Sequence, residues 1–164
     1  MAATAVTIEE YLSTPYRPDR DYVDGEVQKR NLGEFDHARL QGEIYAYFHA
    51  RRKQWGVYPV IEQRLQVSAS RFRVLDVCVI IGTAPGQIFR TPPFICIEIL
   101  SPEDRMSRVN ERIADYLQFG VPYVWILDPQ TRKAWRCTLG AMTEVQELRT
   151  ENPAMVVPLA DLFD

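Results

Sequence analysis

The sequence predicts a mixed α/β protein in which helices cover both faces of a central mixed sheet, an α/β/α sandwich. Three observations lead to this prediction: two strongly apolar strand-length segments, amphipathic helical segments on either side of them, and no repeat or linker in 164 residues. The order helix, three strands, helix, strand is typical of this class. A chain of this length can bury its own core, so we expect a single domain over residues 1–164.

The N-terminal half carries clear start and stop signals. Residues 7–10, Thr-Ile-Glu-Glu, have the form of a capping box, which predicts a short helix ended by Pro15. A strand is predicted at 22–27, with a turn or bulge at Asp24-Gly25. The other predicted elements of this half are a helix from about 37 to 53 and strands at 57–67, 72–81 and 93–100.

The C-terminal half is predicted to hold one amphipathic helix followed by strands. Val109, Ile113 and Tyr116 fall on one helical face, and Gly120 lies where that helix should end. The remaining predictions are strands at 121–127, near 133–138 and near 143–148, a turn at 128–131, and a short helical turn at 158–163.

Composition indicates an ordinary globular protein, with 46% apolar and 25% charged residues. The uncharged apolar runs are only as long as strands, so neither membrane insertion nor secretion is expected. Cys78, Cys96 and Cys137 are odd in number and lack metal-ligand spacing, which is typical of a reduced compartment, and we expect a cytoplasmic location. The net charge of −3 disfavours a protein that coats nucleic acid, although local arginine clusters could still bind phosphates.

Two acidic residues interrupt the most apolar stretches of the chain. Asp76 lies within the apolar run 74–81, and Glu98 lies within the run 94–100. A buried charge without a partner costs several kcal/mol, which is comparable to the whole stability margin of a domain. Both acids are therefore expected to have a specific partner.

Side-chain alternation brings these two acids together. If the two strands pair antiparallel with Cys78 opposite Cys96, then Asp76 lies opposite Glu98, with Cβ atoms about 4.5–5.5 Å apart. Like charges at this distance repel unless a cation joins them, which predicts a site for a divalent metal such as Mg²⁺ or Mn²⁺. The alternative is that each acid pairs separately with an arginine, or lies in water at a strand end.

Five further residues could belong to the same site. Glu26 could reach the same end of the sheet, unless it is a solvated glutamate at a strand edge. Arg105, Arg108 and Arg112 form one basic flank of the later helix, suited to carboxylates or phosphates. The alternative for this flank is a solvated helix edge paired with acids one turn away. His37 could cap its helix, act as a general base or contact a phosphate.

Several short motifs, in this order, resemble those of a known family. They are Glu10-Tyr11-Leu12, Tyr22-Val23-Asp24-Gly25-Glu26, His37, Leu75-Asp76-Val77, Ile97-Glu98-Ile99-Leu100-Ser101-Pro102, Tyr116 and Gly120-Val121-Pro122-Tyr123-Val124-Trp125-Ile126-Leu127-Asp128-Pro129. Over roughly residues 7–138 the chain resembles the Uma-type putative restriction endonuclease family, a branch of the PD-(D/E)XK nucleases. The resemblance implies a restriction-endonuclease-like α/β/α sandwich and a metal-dependent phosphodiesterase.

The resemblance also implies roles for individual residues. Asp76 and Glu98 match the acids that hold magnesium in the family, Glu26 matches its early glutamate, and His37 matches its helix-opening histidine. A lysine is expected near position 112 and an aspartate near position 108, and this chain has arginine at both. An arginine can hold a phosphate but stays protonated, so it cannot shuttle a proton.

Two functions are therefore expected as alternatives. The first is a Mg²⁺- or Mn²⁺-dependent endonuclease that hydrolyses DNA, and the second is a degenerate relative that binds nucleic acid or a protein without cutting. A weaker third alternative is a nuclease-like core kept only as an assembly scaffold, in which Tyr123, Trp125 and Trp135 could lie at a homodimer interface. The residues expected to act are Glu26, Asp76, Glu98 and Arg112 in catalysis, with Asp76 and Glu98 as metal ligands, and His37, Arg105 and Arg108 in DNA binding.

Overall fold

The computed structural model of the protein describes residues 4–31 and 34–163. In chain order its elements are α1 (Ile8–Ser13), β1 (Asp21–Val23), β2 (Glu26–Gln28), α2 (Phe35–Trp55), β3 (Val57–Ser68), β4 (Arg71–Ile81), β5 (Ile95–Ile99), α3 (Met106–Phe119), β6 (Tyr123–Asp128), β7 (Lys133–Thr138), β8 (Ala141–Val145), β9 (Glu147–Thr150), β10 (Met155–Pro158) and a 3-10 helix (Leu159–Leu162). Within the described residues, no helix combines the length and the apolar character needed to cross a lipid bilayer.

Local signals in the sequence account for the N-terminal elements. The side chain of Thr7 accepts a hydrogen bond from the Glu10 main-chain N at 3.1 Å, which caps α1. Asp24 and Gly25 both have positive φ, 49° and 93°, as a two-residue type I′ turn between β1 and β2 requires. The short helix predicted to open at 7–10 and to end before Pro15 is present. The predicted turn is also present, and it divides the predicted strand 22–27 into the two strands of a hairpin.

One predicted strand is divided between two sheets. The segment near 143–148 forms β8, which pairs with β7, and β9, which pairs only with β10. After Val145 the chain leaves the main sheet. From Glu147 it forms a separate two-stranded ribbon, in which Glu147 pairs with Pro158. The other predicted strands and helices are present, with ends shifted by a few residues.

Strand β4 is the centre of the main sheet because three strands pair with it, all antiparallel. β3 lies along one side of β4, while β1 and β5 share the other side. The sheet continues from β5 through β6 and β7 to β8. β5 and β6 are parallel, so the chain must cross over between them, and α3 provides that crossover.

Helices cover both faces of this sheet. On one face Leu40, Ile44 and Phe48 of α2 pack with the side chains that surround Val77 and Ile97. On the other face the buried residues of α3 pack with residues adjacent to these in each strand, including Cys78 and Cys96. The predicted α/β/α sandwich with a mixed sheet is confirmed.

Candidate active site

The two acids lie where strands β4 and β5 stop pairing. Their pairing runs from Val79–Ile95 through Cys78–Cys96 to Val77–Ile97, so the predicted register is present. Asp76 and Glu98 occupy the next position on each strand, and the two residues are 3% and 2% exposed. Glu98 contacts Tyr116 of α3, whereas Asp76 contacts His37 in the first turn of α2.

Asp76 is held by donors from three directions. Its Oδ2 accepts a hydrogen bond from the main-chain N of Ile99 at 2.8 Å. Its Oδ1 lies 2.9 Å from Nη2 of Arg30 and 3.4 Å from Nε2 of His37. Burial alone would raise the pKa of Asp76, but the His37 hydrogen bond and the Arg30 charge together hold it below its usual value. The carboxylate is therefore charged at neutral pH.

Glu98 lies in a different environment on the neighbouring strand. Its Oε1 accepts a hydrogen bond from the hydroxyl of Tyr116 on α3. Burial raises the pKa of Glu98 well above its usual range, and Asp76 raises it further, while the nearby positive charge of Arg112 opposes both effects. The charge of Asp76 thus disfavours the ionised form of Glu98, in keeping with their positions just beyond the last β4–β5 pair.

Arg112 is buried beside Glu98 and is not part of a solvated helix edge. Only 14% of its side chain is exposed, and its Nη2 lies 3.7 Å from Asp104. Its Nε is buried and has no hydrogen-bond partner among the described residues. Asp115, one turn away on α3, binds Arg73 instead, through Nε at 2.7 Å. The alternative of a solvated arginine paired along its own helix therefore does not apply to Arg112.

The remaining predicted residues lie around a cavity that is lined by Arg30 and Arg112 but by neither Asp76 nor Glu98. Arg105 and Arg108 are exposed and line a cavity of about 290 Å³, together with Arg112 and Arg30. Glu26 lines the same cavity but does not join Asp76 and Glu98. The reason is topological: Glu26 pairs with Val23 of the hairpin, which meets the start of β4, five residues before Asp76.

Sequence reasoning missed three polar residues that surround Asp76. The pairs Ile61–Val77 and Gln63–Leu75 place Glu62 level with Asp76 on the neighbouring strand. Glu62 Oε2 lies 2.5 Å from Nη1 of Arg30, and its Oε1 accepts from Gln41 Nε2 at 2.9 Å. Gln41 also donates to the main-chain O of Asp76 at 2.9 Å.

No local motif marks these three residues, since each is an ordinary polar residue in its own stretch of sequence. Only the β3–β4 register could have singled out Glu62 as a neighbour of Asp76, and no pattern in the sequence fixes that register.

The donor set fits a hard divalent cation better than zinc. Among the described residues, no group of three or more His, Cys, Asp or Glu is arranged to hold a metal ion. Magnesium needs fewer protein ligands, since it commonly binds through one or two carboxylates and keeps waters or phosphate oxygens for its other positions. Asp76 and Glu98 supply two such carboxylates, and an incoming cation would relieve their repulsion.

The architecture and the paired acids together define a nuclease-like protein. The fold matches a crystal structure of a putative nuclease belonging to DUF820 from Anabaena variabilis ATCC 29413, with a TM-score of 0.81 at 23% identity. The match covers 96% of this chain and 97% of that chain, and at this identity it shows the fold. The model of the Uma2 family, described as putative restriction endonuclease, matches residues 8–164, and the chain belongs to this family. No curated protein matches the chain.

Proposed function

We propose that the protein is a metal-dependent endonuclease that hydrolyses DNA phosphodiester bonds at Asp76 and Glu98. The observation that carries the proposal is the burial of these two acids at the same position of neighbouring strands. Membership of a putative restriction endonuclease family supports the same reaction and suggests DNA as the substrate.

Each residue of the site has a separate proposed role. Asp76 and Glu98 would hold one Mg²⁺ or Mn²⁺ ion, and Tyr116 keeps Glu98 oriented towards it through its hydroxyl. The bound ion would polarise a phosphoryl oxygen and acidify a coordinated water. Arg112, buried beside Glu98, neutralises negative charge that develops on the phosphate.

The arginine at position 112 limits how a proton can move in this site. A guanidinium stays protonated, so Arg112 binds and stabilises charge but does not accept a proton from water. His37 also lies beside Asp76. Burial lowers the pKa of His37, but the Asp76 hydrogen bond and charge outweigh this effect and raise the pKa above its usual value. We assign His37 a phosphate contact, because the carboxylate favours its charged, donating form.

The rim of the cavity is the proposed DNA contact surface. Arg105 and Arg108 are exposed there, at the start of α3, and can reach phosphates on either side of the scissile bond. Glu26, on the β1–β2 hairpin, lines this cavity more than one strand away from the acids, and its proposed role is to help place the attacking water.

Cleavage of supercoiled plasmid and of single-stranded DNA in the presence of Mg²⁺ or Mn²⁺ tests the proposal. We expect nicking by the native protein and its loss in Asp76→Asn. The matched control is Asp161→Asn, which removes an exposed aspartate of the 3-10 helix and should cleave like the native protein. Equal cleavage by Asp76→Asn and the native protein would indicate a contaminating nuclease.

The second candidate function is binding of nucleic acid without cleavage, and the arginines at 108 and 112 favour it. Comparing the native protein with the double variant Arg108→Asp, Arg112→Lys separates the two functions. Cleavage that appears only in the double variant supports a degenerate site, whereas cleavage by the native protein rules that alternative out. A homodimer and a cytoplasmic location stay predictions, and light scattering at several concentrations would measure the oligomeric state.

A further inference from the structure

Both oxygens of Asp76 already have hydrogen-bond donors. Oδ2 accepts from the main chain of Ile99 at 2.8 Å, and Oδ1 lies between Arg30 at 2.9 Å and His37 at 3.4 Å. Each carboxylate oxygen offers about two acceptor positions, so the two side chains fill those of Oδ1. A cation that binds Oδ1 must therefore displace one of them.

Arg30 is an ordered part of this site, because its guanidinium binds two carboxylates and is not free in solvent. Its side chain is 11% exposed and joins two carboxylates, Asp76 through Nη2 and Glu62 through Nη1. The next residue, Asn31, donates from Nδ2 to Asp104 at 2.8 Å, which fixes the segment beside Arg112. The guanidinium thus lies where β3 and β4 bring two negative charges together.

Glu62 can maintain its ion pair with Arg30 when another cation binds Asp76. Its backbone has a φ of 51°, a left-handed conformation that residues other than glycine rarely adopt. Gln41 holds Oε1, so Oε2 stays directed at Arg30. The Glu62 side chain is 44% exposed, whereas that of Asp76 is 4% exposed, so the guanidinium can turn towards the more open carboxylate without being stranded.

We propose that a divalent ion binds Oδ1 of Asp76, which Arg30 occupies in the metal-free protein, and that Arg30 then withdraws onto Glu62. The inference rests on the proposed function, because it takes Asp76 to be a ligand of that ion. Arg30 is then a competitor that sets how tightly the site holds its ion, and Glu62 is the residue that receives it.

The opposite role for Arg30 predicts an opposite result. A guanidinium that only oriented Asp76 for its ion would leave the carboxylate disordered when removed, and metal binding would weaken. A competing guanidinium leaves Oδ1 accessible when removed, and metal binding strengthens. The direction of the change therefore separates the two roles.

Titration of Mn²⁺ into the protein without DNA, followed by the paramagnetic resonance of the free ion, tests the inference. We expect Arg30→Gln to bind Mn²⁺ about tenfold more tightly than the native protein, equivalent to about 1.4 kcal/mol. The matched control is Lys29→Gln, which removes the same charge from the adjacent exposed residue and should change the affinity less than about twofold at ordinary ionic strength. Binding by Arg30→Gln that equals or falls below that of Lys29→Gln overturns the inference.

A second variant tests the receiving role and does not depend on Arg30→Gln being folded. Glu62→Gln leaves the displaced guanidinium without a partner, so we expect weaker Mn²⁺ binding than in Glu103→Gln, which removes an exposed acid from the cavity that Arg30 lines. Equal binding by these two variants contradicts that role for Glu62.

Asp76→Asn separates failure of this inference from failure of the proposed function. If the native protein binds Mn²⁺ and Asp76→Asn does not, an unchanged Arg30→Gln overturns only the role of Arg30. If Asp76→Asn binds Mn²⁺ like the native protein, both the proposed metal site and the inference are wrong.

Discussion

The two buried acids differ in how the protein compensates their charge. Asp76 has a main-chain donor and two cationic side chains, whereas Glu98 has the Tyr116 hydroxyl and the charge of Arg112. In the metal-free protein, neutralising Asp76 therefore lowers the free energy of unfolding more than neutralising Glu98 does.

This difference predicts opposite effects on stability. In EDTA at pH 7.5 we expect Asp76→Asn to lower the free energy of unfolding by about 3 kcal/mol, because it leaves Arg30 with one partner fewer at a buried position. Glu98→Gln should leave it unchanged or raise it by about 1 kcal/mol, because burial raises the pKa of Glu98 to about 8 and the amide removes the cost of ionising this buried group. Urea unfolding measures both, and a larger loss in Glu98→Gln would contradict the assignment of charges.

The cysteines provide a second test at this scale. All three are buried, and burial raises the pKa of Cys78 to about 12 and that of Cys137 to about 11. At pH 8 the folded protein should therefore react with none of its three thiols on the minute timescale of a disulfide reagent, and with all three in guanidinium. Rapid reaction of one thiol in native buffer would show that its strand is not packed as described.

Individual residues of the site differ in how well the sequence predicts them. Asp76 and Glu98 stand out because alternation in an apolar strand assigns them to one face, whatever the rest of the fold. Arg30 and Glu62 come from a hairpin end and an exposed strand, and only tertiary structure brings them to Asp76. Their spacing along the chain, 32 residues, carries no signal.

At the scale of elements, the position of α3 determines which cations reach Glu98. Asp115 of α3 binds Arg73 of β4, whose side chain is 2% exposed, and Arg73 in turn binds Asp21 of β1 at 3.2 Å. This buried ion-pair chain joins α3 to two strands. It is also what aligns Arg112 and Tyr116, on the same helix, with Glu98.

Breaking this series of buried ion pairs should weaken the attachment of α3 to the sheet. We expect Asp115→Ala to lower the free energy of unfolding by about 3–5 kcal/mol, because the buried guanidinium of Arg73 loses its nearest partner. Glu111→Gln is the matched control, since its side chain is 40% exposed and its loss should cost less than about 1 kcal/mol. Similar losses in the two variants would mean that the buried pair does not anchor α3.

Elements were predictable where local signals and packing agree. The crossover helix and the strands on either side of it show clear periodicity, so α3, β5 and β6 lie close to their predicted positions. The division of 143–148 into β8 and β9 was not predictable, because it depends on a partner, β10, that follows later in the chain.

At the scale of the whole molecule, an acidic protein exposes two arginines at the mouth of a cavity. The net charge is −3, yet Arg105 and Arg108 line this cavity. Binding to DNA should therefore depend on a few phosphate contacts at this rim and not on the overall charge.

Salt dependence of DNA binding measures those contacts. With Ca²⁺ in place of Mg²⁺ to slow cleavage, we expect Arg105→Gln and Arg108→Gln each to reduce the slope of log K against log salt by about 0.9, the value for one lost phosphate contact on duplex DNA. Arg149→Gln, an exposed arginine of β9 that already pairs with Glu147, is the control and should keep the native slope. A slope that falls equally in all three variants would assign binding to net charge alone.

The central claim is that Asp76 and Glu98 jointly hold one divalent ion. Anomalous diffraction from a crystal soaked in Mn²⁺ tests it most directly. We predict a single strong peak at roughly 2.1 Å from a carboxylate oxygen of each residue, the distance expected for a small octahedral cation. Manganese bound only at surface acids, with Arg30 still on Asp76, would contradict the account.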